Sequence, residues 1–190
     1  SNRYSLWRIS ELFMKFTKED ARKRVLNCAK QYQQNLLHKK LLIIFRERQD
    51  NSIRFIEVIF HERNYQHLTG LELTNTEGKI LQHQSKNFYR KCIENKLGLN
   101  DVDKVMGGVN FCLGLSREND VFIPSSALLE DIKKLTSSPS QVLAIFEKDI
   151  DSELYSTVKH VAKGLNLHHL ILPPEISSKI SLEHYVYRGK

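Results

Sequence analysis

The chain has 190 residues, 41% of them hydrophobic and 27% charged, with a formal net charge of +7. That composition suits a globular protein with one real core, and no apolar run approaches the ~20 residues that cross a bilayer. The basic balance favours an anionic partner, nucleic acid first.

Residues 4–16, "YSLWRISELFMKF", read as a short helix. The charges that interrupt these opening residues do not fit a signal peptide, so a cytoplasmic location is expected. Residues 17–37 read as an amphipathic helix, with Thr17 and Asp20 as a capping-box-like start. Its apolar stripe is Ala21, Val25, Cys28, Ala29, Tyr32 and Leu36, and its other face carries Lys18, Arg22, Lys23, Arg24 and Lys30. "LLIIFRER" (41–48) and "IRFIEVIF" (53–60), joined by "QDNS", have the β-branched and aromatic content of a hairpin. "HLTGLEL" (67–73) reads as a third strand, and "KNFYRKCIENKLG" (86–98) as a helix stopped by Gly98.

"VNFCLGLS" (109–116) and "DVFIPS" (120–125) look like a strand pair. "SALLEDIKKL" (126–135) fits a helix that Ser125 or Ser126 would cap. "QVLAIFEK" (141–148) reads as a buried strand, residues 151–165 as a helix, and "LHHLIL" (167–172) as a strand before a peripheral tail. The order predicts an α+β fold: N-terminal helices on a mainly antiparallel sheet. Its expected parts are an N-terminal extension (1–16), the main domain (17–173) and a tail (174–190).

Several chemistries lack their residues. Cys28, Cys92 and Cys112 are odd in number and far apart, so neither a disulfide frame nor a zinc knuckle is expected, and buried thiols are the simplest reading. His61 and His67 are six apart, not the four of a zincin helix, so no metal site is predicted. Phosphate-loop and nucleophile-elbow patterns are absent, and no cofactor is expected.

Acid–base chemistry remains open. Metal-free RNA cleavage needs a base for the 2′-hydroxyl, an acid for the leaving oxygen and a cation for the phosphorane. Histidine suits proton transfer near neutrality, and lysine or arginine suits the cation. His67 and Thr69 would share a face of an extended strand. Lys163 is the first phosphate-binding candidate and Arg63 the next, with His61, Lys159 and His160 nearby in the chain. A structural histidine and a solvated polar face are the competing readings.

"FHERNYQHLTGLEL", "NFYRKCIENKL", "GGVNFCLGLSRENDVFIPSSALLEDIKKL" and "PSQVLAIFEKDIDSELYSTVKHVAKGL" form an ordered series. It resembles a phage- and mobile-element-associated group of Barnase–EndoU–colicin–RelE-like (BECR) nuclease domains, over roughly residues 21–170. The resemblance implies a curved sheet and a metal-independent ribonuclease activity on its concave face. It places motif positions on His67, Leu68, Thr69 and Gly70; on Phe88 and Tyr89; on Pro124, Ser125, Ser126, Leu128, Glu130 and Asp131; and on Tyr155, Thr157, Val158, Val161, Ala162 and Lys163. The linker "GLNDVDKVMGG" is shorter than the group's usual segment there. The expected catalytic set is His67, Thr69, Thr157 and Lys163, and the expected nucleic-acid contacts are His61, Arg63, Lys159 and His160. The expected partners are RNA, with DNA as the alternative, and a cognate inhibitor protein, without a membrane. A catalytically silent binding module of a mobile element is the second reading. The sequence leaves the oligomeric state open.

Overall fold

The hairpin forms where its composition places it. Strand β1 (Lys39–Arg46) pairs antiparallel with β2 (Ile53–Ile59), with Ile43 opposite Ile56. In the turn, Asn51 adopts a positive φ of 58°, and the Asp50 carboxylate accepts hydrogen bonds from the Ser52 backbone and hydroxyl. This is a computed structural model; it describes residues 18–69, 102–181 and 186–187. The expected helices over 4–16 and 86–98 lie outside the described residues.

Helix α1 (Lys18–Asn35) forms as read. The chain divides into two units, residues 1–35 and 36–190. Cys28 is exposed, against the expectation of a buried thiol, whereas Cys112 is buried.

The second unit is α+β and is built on one mixed sheet, in the order β3-β4-β5-β2-β1-β6-β7-β8. Strands β3 (Lys104–Gly107), β4 (Cys112–Glu118) and β5 (Val121–Leu128) run antiparallel to their neighbours. So do β2, β1, β6 (Gln141–Asp149) and β7 (Thr157–Val161). A short parallel pairing, Val58 with Phe122, joins these two sets, and β8 (Val186–Tyr187) adds a parallel edge.

One face of the second set is packed. Leu42, Ile44, Ala144, Phe146 and Val158 meet Tyr155, Leu167, Ile176 and Ile180 in the main core. Burying each of the larger apolar side chains is worth about 1.5–3 kcal/mol. Ile176, in the single-turn helix α4 (Pro174–Ser177), is fully buried. Ile176 and Ile180 therefore belong to the packing.

The other face is concave. In a flat sheet β3 would stand about 19 Å from β1, four strand spacings away. Yet the Lys104 ammonium on β3 lies 5.8 Å from the Phe45 ring centroid on β1, and 6.0 Å from that of Phe122 on β5. The sheet curls over itself, as the resemblance implies.

Four local expectations change. Residues 62–69 form helix α2 (Glu62–Thr69), not the start of a third strand. Asn64 explains why: its side-chain oxygen accepts the His61 backbone N–H at 2.8 Å, a capping interaction, and its amide donates to the Pro124 carbonyl at 3.0 Å. Residues 70–73 lie outside the described residues. Ser125 and Ser126 lie in β5 and cap nothing; the short helix α3 (Ile132–Leu135) is capped by Asp131, which accepts from the Lys133 N–H. The segment expected to be helical over 151–165 holds strand β7 instead, because Thr157, Val158 and Val161 favour extended backbone. The expected strand at 167–172 is a 3₁₀ turn, Leu167–His169, capped by Asn166.

Candidate functional site on the concave face

Register decides which charges meet. Along β6, Phe146 belongs to the core face, so Glu147 belongs to the concave one, opposite Leu41 on β1 and Thr157 on β7. Lys39 is on the same face as Leu41, two residues back. Between β6 and β7 the ladder slips: Phe146 pairs with Val158 and Ile145 with His160, which leaves Lys159 as the extra residue of a bulge. His160 therefore shares the concave face with Glu147 and Thr157, while Val158 and Val161 both serve the core.

The Glu147 carboxylate is nearly inaccessible, at 6% exposure for the residue. Lys39 donates to its Oε1 at 3.0 Å, and Lys159 stands 3.2 Å from its Oε2. The Lys159 contact is close but poorly angled, so Oε2 is buried without an aligned donor among the described residues. A buried acceptor in that state is uncommon, and a catalytic role is one of its explanations. Two ammonium groups thus touch one carboxylate, and register sets Thr157 opposite Glu147 and the exposed His160 opposite Ile145, one same-face position along. Such a set can grip a phosphate, accept a proton and donate one.

A second carboxylate stands on the opposite face. Glu57 on β2 accepts the Tyr155 hydroxyl at 2.7 Å and pairs with Lys40 at 3.3 Å and Lys179 at 3.4 Å. Burial alone would raise its pKa, but the Tyr155 hydrogen bond and the two ammonium charges outweigh burial and hold it below the ordinary value. Burial, followed by the bond to Glu57, pushes the Tyr155 hydroxyl far above its ordinary value. Lys148 lies 5.0 Å from the Tyr155 ring centroid and donates to the Ser152 and Glu153 carbonyls. Burial, and then the charge of Lys40, lowers its pKa.

The residues singled out from sequence fall into three places. Thr157, Lys159 and His160 line the concave face along β7. Lys163 is exposed at the turn after β7, beside Gly164, whose φ of +81° closes that turn. His67 and Thr69 are in α2, where residues two apart are not same-face neighbours, so the strand argument for pairing them lapses. The main contacts of α2 run to β5, four strands from β7 in sheet order. His61 caps α2, and exposed Arg63 donates from Nη2 to both carboxylate oxygens of Glu118, at 2.8 and 3.0 Å. Glu147 and Lys39 were not singled out. The available signal was a carboxylate inside the otherwise apolar run "VLAIFEK".

Residues 24–108 match the family described as phage-Barnase-EndoU-ColicinE5/D-RelE like nuclease 4. The chain resembles a phage-type BECR nuclease domain. The matched stretch runs from α1 through the central hairpin and α2 to β3, so it contains Lys39, and Glu147, Thr157, Lys159 and His160 lie beyond it. No curated protein and no solved structure matches the chain. No described helix is long and apolar enough to cross a membrane.

Proposed function

We propose that this domain cleaves RNA by metal-independent acid–base catalysis, and that the Glu147 group on the concave face is its centre. The buried Glu147 oxygen without an aligned donor carries this reading. The nuclease-family match and the +7 charge support it.

In this reading the exposed Lys159 side chain swings from Glu147 Oε2 onto the phosphate as RNA binds, and the uncovered oxygen accepts the proton of the attacking 2′-hydroxyl. The 2′-oxygen then attacks phosphorus, and the 5′-oxygen leaves with a proton from His160 in its imidazolium form. The Lys39 and Lys159 ammonium groups stabilise the charge that builds on the phosphorane, and the Thr157 hydroxyl donates to a non-bridging oxygen. Lys163 and Arg63 contact the flanking backbone. His160 takes the proton-transfer role in preference to His67 because it shares a face with Glu147.

The test is incubation of the protein with RNA in EDTA, alongside His160→Ala. Chelator-resistant cleavage that falls about 10²–10⁴-fold in the variant is the expected result. Salt-sensitive RNA retention without turnover would replace the catalytic reading with that of a silent binding module. Cleavage that survives in His160→Ala would remove His160 from the mechanism.

A further inference from the structure

The packed face of the sheet carries more positive charge than packing needs. Lys40 on β1 stands directly opposite Lys148 on β6, two residues from the Leu42–Phe146 pair of the core. Like charges set opposite each other in a sheet are destabilising. Lys179 reaches the same place from the segment after α4, where its carbonyl accepts the Tyr155 backbone N–H at 2.8 Å. Its ammonium lies 3.4 Å from Glu57 Oε2 and 5.4 Å from the Phe55 ring centroid.

One carboxylate serves these three cations. Glu57 pairs with Lys40 and Lys179, while Lys148 donates to the Ser152 and Glu153 carbonyls. Three positive charges against one negative leave an excess of two. The Glu153 carboxylate also acts on Lys148, but it is exposed, where water screens it. Burial first, and then the charges of Lys40 and Lys179, lower the Lys148 pKa, and Glu57 and Glu153 do not offset them. Each ammonium has three N–H donors, so each keeps at least one for a further acceptor.

We infer that Lys40, Lys148 and Lys179 form a binding site for a phosphomonoester group, on the face of the sheet opposite the Glu147 centre. The inference goes beyond the proposed nuclease reading and does not depend on it. Such a group carries a charge of about −1.5 to −2 near neutral pH and three strong acceptor oxygens, which matches the local excess and the three ammonium groups. A backbone phosphodiester carries a single negative charge and leaves part of the excess uncompensated. Glu57 and the two backbone carbonyls hold the lysines in place beforehand, which lowers the entropic cost of binding. A 5′-phosphate on an RNA end and a small free phosphate present the same group.

The test is a nuclear magnetic resonance titration of the intact protein with inorganic phosphate at fixed ionic strength, followed on the lysine side chains. Lys40, Lys148 and Lys179 should shift together and saturate, and the Lys148 titration midpoint should rise when phosphate is bound. Lys148→Met and Lys40→Met each lose charge-assisted hydrogen bonds and should weaken binding about tenfold or more. Shifts confined to Lys39 and Lys159, an unchanged Lys148 midpoint, or wild-type affinity in both folded variants overturns the proposal. Competition with 2′-O-methyl oligonucleotides, which cannot be cut through a 2′-hydroxyl, separates the sources. Displacement by the 5′-phosphorylated oligonucleotide but not by its 5′-hydroxyl form assigns an RNA end, and displacement by neither assigns a small free phosphate. Equal displacement by both would put the backbone in place of the monoester and overturn the assignment. Phosphate bound at the three lysines of a protein that does not cut RNA would keep the site and reject the nuclease reading.

Discussion

Glu57 and Glu147 flank the same central strand, one on β2 and one on β6, and they stand on opposite faces of the sheet. Each is largely buried, and each has two lysines within 3.4 Å. They differ in what closes the shell. Tyr155, itself buried to 1% exposure, donates to Glu57 and ties that carboxylate to the main core. Among the described residues no hydroxyl donates to Glu147, and one of its oxygens is left poorly satisfied. The same residue types thus serve the packing on one face and leave a less satisfied carboxylate on the other. Composition does not separate the two; the hydroxyl partner does.

If Tyr155 is the keystone of the packed face, its removal should be the costliest change there. Tyr155→Ala should destabilise the protein by about 3–5 kcal/mol in urea unfolding, through the lost ring and the cavity it leaves. Tyr155→Phe keeps the ring and removes the donor, and should cost about 1–2 kcal/mol. Equal losses for the two variants would mean that the hydroxyl carries the whole effect and the ring none.

The Glu57 pair also fixes a pH dependence. Its carboxyl is held lower in the folded protein than its ordinary value of 4.5. The unfolded chain therefore binds the proton first as the pH falls, and the stabilisation is present above about 4.5 and is lost below it. Unfolding free energies measured between pH 6 and 3 should fall with a slope that flattens in Glu57→Gln. Asp50 in the hairpin turn is also held low, at about 2, by its hydrogen bonds to Ser52 and then Arg54, so the comparison is sharper in an Asp50→Asn background. A slope that Glu57→Gln leaves intact would place the acid sensitivity elsewhere. The smallest effect is expected at the surface: Arg63→Ala breaks an exposed pair and should cost less than about 1 kcal/mol.

The parts that were legible from sequence are those whose signal is local. The hairpin, β6 and the β4–β5 pair have β-branched or aromatic runs bounded by turn residues, and α1 has a helical stripe. The misread segments each have a physical reason. In α2 the deciding contact is Asn64 with Pro124, sixty residues away, and no nearby spacing reports it. In β7 the bulge at Lys159 places Val158 and Val161 on one face, three residues apart, which imitates the period of a helix. The candidate site was half legible. Thr157 came from a motif and Lys159 and His160 from their residue types beside it, but Glu147 and Lys39 meet across 108 positions of chain, and only strand register brings them together.

The central claim is that Glu147 does chemistry where Glu57 does packing. It is tested most directly by RNA cleavage rates in EDTA for Glu147→Gln and Glu57→Gln, with unfolding measured on the same samples. The account predicts a loss of about a hundredfold or more in Glu147→Gln while the protein stays folded. It predicts near wild-type cleavage by the folded fraction of Glu57→Gln, with reduced stability. Full cleavage by Glu147→Gln, or equal losses in two folded variants, would contradict it.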